Sequence, residues 1–329
     1  MKDTLKTLAT AYGPTGNEMN VANIIKEMVA SYVDETKIDA MGNLIAVKKG
    51  KGGKRIMLAA HMDHIGFVVT DIDEKGFARV HNVGGIRKTN SLHRHVIFEN
   101  GVSGVLAAEN EGHDLADNNM TKLFIDLGAS SKEEAEQLIR LGDFAVYAPE
   151  FFELANDLVA GTAMDDRAGC AIVVEMLKRL GETDNDVYAV FTVQEEVGLR
   201  GAQAAAFDVN PDMGIALDVT LCGDTPKGPK ISMKMGEGIA VKVLDSSLVC
   251  HPGVVRAMEE AAEKCGAKYQ REVLTAGGTD AGAIQRTRGG VPVGVLSIPC
   301  RYVHSANETV SLRDMENGVK LLTELVKNY

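Results

Sequence analysis

The 329-residue sequence predicts an α/β fold: a mostly parallel, mixed sheet sandwiched by helices, with a small β-rich, barrel-like domain inserted into it. Three observations predict this. Apolar, strand-like runs alternate with helical patterns in the later part of the chain. Between Gly66 and about Leu158 the texture changes to short strands separated by turn residues. The length, at roughly 100–200 residues per domain, calls for about two domains. The expected division is a main domain at 1–65 and 159–329, interrupted by an insert at 66–158.

Taken in order, TLKTLATAYG reads as a short helix stopped by Gly13-Pro14. GNEMNVANIIKEMVASYV carries apolar residues at helical spacing and reads as an amphipathic helix. TKIDA, NLIAVKK and RIMLAAHM are strand-like, with glycine-containing turns between them. In the insert, FVVTDI, GFARVHNV, HVIFENG, VSGVLAA, KLFIDLG and DFAVYAPEF read as short strands. SKEEAEQLIRLG reads as its one helix, with Ser130-Ser131 supplying a cap. Beyond Gly161 come a helix in DRAGCAIVVEMLKRLG, strands in DVYAVFTV and MGIALDV, and a helix in HPGVVRAMEEAAEKCG. KYQREVL reads as a strand, TDAGAIQRT as a short helix, VPVGVLSI as a strand and SLRDMENGVKLLTELVKN as a closing helix. GLRGA, after Glu196, reads as a loop of small residues.

Composition narrows the function classes. The net charge of −11 leaves no basic stripe for nucleic acid, since VKKGKGGKR is the longest basic cluster and reads as a solvated turn. No apolar run approaches the ~20 residues of a membrane span. The N-terminal stretch is polar and periodic, unlike a secretory signal, so the expected location is cytoplasmic. The five cysteines are scattered and odd in number, which fits reduced thiols.

In open α/β sheets, ligands bind at the carboxyl ends of the strands. Polar residues gather at those predicted ends: His61 and Asp63 after RIMLAA, Glu195 and Glu196 after DVYAVFTVQ, Asp218 after GIAL, and His304 after VGVLSIPCRYV. Asp165 and Asp166 stand just before a helix. Taken singly, each has an ordinary explanation, such as a buried histidine, a helix cap or a strand-end turn. Their coincidence at one sheet edge is what carries weight. Clustered carboxylates are normally held by cations. A donor set of histidine and carboxylate without thiolate suits Zn²⁺, Co²⁺ or Mn²⁺. Five ligands sharing one carboxylate suit two ions about 3.5–4 Å apart. His81, His93, His95, His113 and His251 read as non-ligands; His64, which immediately flanks this cluster, is the exception.

The stretches AAHMDHIGF, GTAMDDRAG, TVQEEVGLRGA, ALDVTLCGDTP, GGTDAGA and IPCRYVHSANE, in this order, resemble the glutamyl aminopeptidase and tetrahedral aminopeptidase family of dinuclear metallopeptidases. The resemblance covers essentially the whole chain. It implies two divalent ions per subunit, with zinc the first choice and cobalt or manganese the alternatives. It implies that Asp165 bridges the ions, that His61 and Asp218 hold one, and that Glu196 and His304 hold the other. Glu195 then matches the general base and Asp63 the partner of His61, with a cis Asp165–Asp166 peptide. Peptides are the implied substrates, and the insert is the implied dimerisation module of a homo-oligomer that assembles from dimers into a dodecamer. One residue departs from the pattern: His64 stands where the family usually has glutamate. Alternatives on the same site are a deacylase, a carboxypeptidase or a weakened scaffold protein. A glycosidase could use paired carboxylates, but it would leave the histidines without a task.

Overall fold

The computed structural model describes residues 1–109 and 120–329. The chain opens with helices α1 (Lys2–Ala9) and α2 (Met19–Val29) and strands β1 (Glu35–Ile38), β2 (Leu44–Lys48) and β3 (Arg55–His61). Next come β4 (Gly66–Ile72), β5 (Ala78–Val83), α3 (Lys88–Ser91), β6 (Arg94–Phe98), β7 (Ser103–Ala108), β8 (Leu123–Asp126), α4 (Lys132–Glu136) and β9 (Phe144–Tyr147). Then follow β10 (Phe151–Glu153), β11 (Leu158–Gly161), α5 (Met164–Leu180), β12 (Asp186–Thr192), α6 (Arg200–Val209) and β13 (Met213–Leu221). The last part holds β14 (Ile239–Leu244), α7 (Pro252–Cys265), β15 (Tyr269–Val273), α8 (Ala281–Gln285), β16 (Val293–Arg301), β17 (Glu308–Ser311) and α9 (Leu312–Asn328).

Among the described residues, eleven strands form one mixed sheet, ordered β1-β2-β12-β3-β13-β16-β17-β11-β10 with β14 and β15 branching from β16. Its centre is parallel: β12 on β3, β3 on β13, and β13 on β16. The flanking pairs are antiparallel, apart from β14 on β15. The central strands are buried on both faces, as near-continuous apolar runs such as DVYAVFT require. The other six strands close into a barrel, β4-β5-β8-β7-β6-β9, around a separate core that includes Phe67, Phe98, Leu106 and Ile125. Closure leaves that barrel without a free edge.

Several elements differ from the sequence expectation. Strand β10 hydrogen-bonds to β11 in the large sheet and not into the barrel with which its sequence was grouped. The GLRGA loop runs into a helix, α6. Its buried side is Gly201, Ala202, Ala205, Ala206 and Val209, and alanine gives too little apolar contrast to reveal the period. Helix α4 is only five residues long, capped by Ser131 accepting from the Glu134 N–H. Strands β11, β14 and β17 were not foreseen: β11 and β17 are only four residues each, and Lys242 interrupts the apolar run of β14. No helix among the described residues is long and apolar enough to cross a membrane.

Helix α5 is buried along most of its length between the sheet and α1 and α9. It carries a fully buried guanidinium, Arg167. Arg167 donates to the carbonyls of Leu8 (2.6 Å), Ala11 (3.2 Å), Gly13 (3.1 Å) and Met62 (2.7 Å), tying the α1–α2 turn to the end of β3. Replacing it by methionine strands those carbonyls away from water. Arg167→Met is therefore expected to cost about 3–5 kcal/mol of unfolding free energy, read from urea denaturation. A loss under about 1 kcal/mol would mean that water replaces the guanidinium there.

Candidate metal centre and active site

The parallel centre of the sheet brings the singled-out residues to one edge. His61 is the last residue of β3 and lies beside Thr192, the last of β12. Glu195 and Glu196 follow β12 directly, Asp218 lies near the end of β13, and His304 follows β16. Helix α5 enters beneath them. Its first residues are not helical: Ala163 is left-handed and Asp165 and Asp166 depart from helical angles, with a cis peptide between the two aspartates. The two then separate. Asp166 accepts from the N–H of Gly169 at 2.9 Å and so caps the regular helix, while Asp165 faces the strand ends.

One oxygen of Asp165 lies 3.1 Å from His61 Nε2, and the other lies 3.2 Å from His304 Nε2. Asp218 Oδ1 is 3.9 Å from His61 Nε2, and Glu196 Oε2 is 3.2 Å from His304 Nε2. Donor atoms of His61, Asp165 and Asp218 all fall within 4.8 Å of one another, and so do those of Asp165, Glu196 and His304. Asp165 belongs to both groups, and Glu195 to neither. Each imidazole is oriented from behind by a carbonyl. His61 Nδ1 is 3.0 Å from the Asp63 carbonyl and His304 Nδ1 is 2.7 Å from that of Gly85. A ring nitrogen facing a carbonyl carries a hydrogen, which leaves Nε2 as the atom turned to the shared centre.

Electrostatically, the site holds more buried acid than its histidines can balance. Burial, countered in part by His61, pushes Glu195 and Asp218 well above the carboxylate range, and neighbouring carboxylates push them further. Burial would lower His304, but hydrogen bonds to Asp165 and Glu196 outweigh it and raise the ring to about 12. Asp165 is likewise raised by burial but held below its ordinary value by hydrogen bonds from the two histidines.

Asp63 stands beside His61 and has a second task. Its carboxylate is 3.6 Å from His61 Nδ1. It also accepts from the backbone N–H groups of Glu195 (3.0 Å) and Glu196 (3.2 Å) and from the Thr15 hydroxyl (2.8 Å). It fixes the loop that carries both glutamates. His64 enters neither group. It is buried, its Nδ1 lies 2.8 Å from the Ile65 carbonyl, and burial together with nearby Arg167 lowers it to about 3. His81, His93, His95 and His251 also fall outside both groups, and His113 lies outside the described residues.

A model of the M42 glutamyl aminopeptidase family matches residues 42–321. The chain belongs to that family. A protein of Acetivibrio thermocellus is 49% identical to this M42 chain over 326 residues, 99% of the chain and 98% of the relative. Among solved structures, an aminopeptidase from the archaeon Desulfurococcus kamchatkensis superposes with a TM-score of 0.95 at 38% identity, covering 100% of this chain and 94% of that one. The Pyrococcus horikoshii TET1 peptidase, which can assemble into a tetrahedron or a large octahedral shell, gives 0.88 at 36% identity over 99% of both chains. The sheet-plus-barrel architecture is thus that of M42 peptidases, and the protein is a peptide hydrolase of the aminopeptidase type.

The family implies divalent ions, and the residues of this M42 chain fit them. Histidine nitrogen and carboxylate oxygen are donors for zinc, cobalt or manganese. Glu196 Oε1 is buried without a hydrogen-bond partner, at the edge of the second group. A buried carboxylate oxygen with no donor is costly unless a cation takes it.

A cavity of about 830 Å³ opens over the centre. Glu195, Glu196, Asp165, Asp218 and His304 line it, with Leu199, Val219, Leu274 and Tyr302 as apolar wall. The barrel also reaches the cavity, which sequence reasoning missed. Gly85, Arg87 and Asn90 lie on its rim. Gly84 adopts φ +83°, and a Cβ there would sit 3.0 Å from Glu196 Oε2 and 2.7 Å from Ile65. A Cβ on Gly85 would press on the His304 ring at 3.0 Å. The GG pair was visible in the sequence, but its closeness to residues more than a hundred positions away was not.

Proposed function

We propose that this chain is a dinuclear metal-dependent aminopeptidase that removes N-terminal residues from short peptides. His61, Asp165 and Asp218 would hold one divalent ion, and Asp165, Glu196 and His304 the other. Zinc is the first candidate, and cobalt or manganese the alternatives. The observation that carries the reading is the pair of ligand groups sharing Asp165, with Glu195 outside both yet lining the cavity. Such ions, when bound, supply a water that is acidic near neutrality and polarise the scissile carbonyl. The protein's own part is proton transfer and placement. Glu195 accepts the proton of the attacking water at its carboxylate and returns it to the departing amine. Asp63, through the N–H groups of Glu195 and Glu196, keeps one glutamate on the cavity and its neighbour in the ligand group. The carbonyls of Asp63 and Gly85 hold the Nδ1 hydrogens, so that each histidine would offer Nε2 to an ion that displaces the proton there.

The assembly belongs to the same reading. A main domain at 1–65 and 159–329 would carry the chemistry, and the insert at 66–158 would pair subunits into dimers that assemble into a dodecamer. The support is the likeness to a TET peptidase that forms closed shells. The decisive experiment compares aminoacyl p-nitroanilides with their N-acetylated forms, before and after chelation and zinc return. Cleavage is expected only with a free amine and only with metal. Equal or better cleavage of N-acetylated substrates would make the enzyme a deacylase or endopeptidase instead.

A further inference from the structure

The geometry points to Glu308 as the positioning residue of the Asp165–His304 half of the centre, a role that rests on the dinuclear reading above. Glu308 opens β17, is 2% exposed, and belongs to neither ligand group. Its two carboxylate oxygens reach two different parts of the chain. Oε2 accepts from the backbone N–H of Asp165 at 3.0 Å, and Oε1 accepts from that of His304 at 2.7 Å. The two donors sit 139 positions apart in sequence, one at the entry to α5 and one in the loop after β16.

Both stretches need such a hold. Ala163, two residues before Asp165, has φ +53°, and Tyr302 and His304 have φ +62° and +60°. Left-handed conformations cost residues with a Cβ about 1–3 kcal/mol and persist only where the surroundings enforce them. The entry to α5 also has N–H groups that no helical carbonyl can reach. One carboxyl group, with an oxygen for each, satisfies a donor on each side. It thereby fixes the distance between the backbones that present Asp165 and His304.

The arrangement repeats a device used across the site. Asp63 clamps the N–H groups of Glu195 and Glu196 in the same manner. Three of the four residues clamped in this way, Asp165, Glu196 and His304, make up one complete ligand group. Among the described residues, no such carboxylate holds the backbone N–H of His61 or Asp218, the remaining members of the other group. Loss of Glu308 therefore acts chiefly on the ion held by Asp165, Glu196 and His304. Glutamine is the informative replacement. It keeps the size and one acceptor, but its NH₂ then faces a backbone N–H, donor against donor.

The test is calorimetric titration of metal-free Glu308→Gln with Zn²⁺, beside the parent chain, with thermal unfolding of both metal-free forms. The parent is expected to take two ions. The variant is expected to stay folded, to bind one ion as the parent does, and to bind the other about 10- to 100-fold more weakly. Its kcat is expected to recover as Zn²⁺ is raised, with KM little changed, which a merely structural lesion would not show. Parental affinity at both ions overturns the role, as does an equal loss at both. A parent that takes fewer than two ions overturns the dinuclear reading instead. If Glu308→Gln does not fold, Glu308→Asp keeps the carboxyl group but is one methylene too short to span both donors. The same selective weakening is then expected, and parental binding by Glu308→Asp overturns the proposal.

Discussion

Glu195→Gln is expected to keep its full metal content and lose about 10²–10⁴-fold in kcat, the usual share of general acid–base catalysis. The two adjacent glutamates are chemically alike in sequence, and the fold gives them different surroundings. Glu196 has one oxygen 3.2 Å from His304 Nε2 and the other buried without a partner, so it belongs to a ligand group. Glu195 lies outside both groups and faces the cavity. Burial raises its carboxyl well above the ordinary range, with Asp218, Asp280 and Glu196 adding to the rise, so the group takes up a proton readily. Glutamine preserves the shape and removes that basicity. Since the amide still fills its place beside the substrate, KM is expected to change little while kcat falls. Metal analysis together with steady-state rates on a free-amine anilide checks both halves. Parental kcat in a metal-replete variant would remove Glu195 from the mechanism, and loss of metal would place it among the ligands.

The edge on which these residues meet was legible in sequence because strand ends in a parallel sheet share one side. An apolar run followed at once by histidine or carboxylate therefore locates a residue in space as well as in sequence. His61, Asp218 and the Glu195–Glu196 pair were all found in that way. What could not be read was the wiring behind them. Asp63 sits two residues from His61, and the resemblance makes it that residue's partner. Its carboxylate also holds N–H groups more than 130 positions away, and loop closure alone decides that. Glu308 lies in SANETV, a stretch that reads as polar loop, yet β17 buries it. The fold shows the same division. Long periodic helices such as α2 and α9 were plain, while alanine-rich α6 and the four-residue strands β11 and β17 were not. The signal in those short elements comes from pairing with distant partners, not from their own pattern.

Asp165→Ala is expected to abolish measurable turnover and to uncouple stability from zinc. Asp165 is the single donor common to both ligand groups, and its two oxygens face the two histidines at 3.1 and 3.2 Å. Removing any other ligand leaves one group whole, whereas removing this one breaks both. Loss of Asp165 acts on stability in two directions. Without metal, Asp165 is one of several buried carboxylates that raise one another, so its loss relieves repulsion at Asp218 and Glu196. It also removes the hydrogen-bonded partner of both imidazoles. These opposed effects leave the metal-free variant close to the metal-free parent. With metal the two diverge. A ligand that binds only the folded state adds about 2.7 kcal/mol at a hundred times its dissociation constant. The parent is therefore expected to gain that much or more as Zn²⁺ is added, and Asp165→Ala almost none. Thermal unfolding across a zinc series, run beside turnover, separates the outcomes. A variant that still gains stability with zinc would show that the two groups bind independently of the aspartate they share.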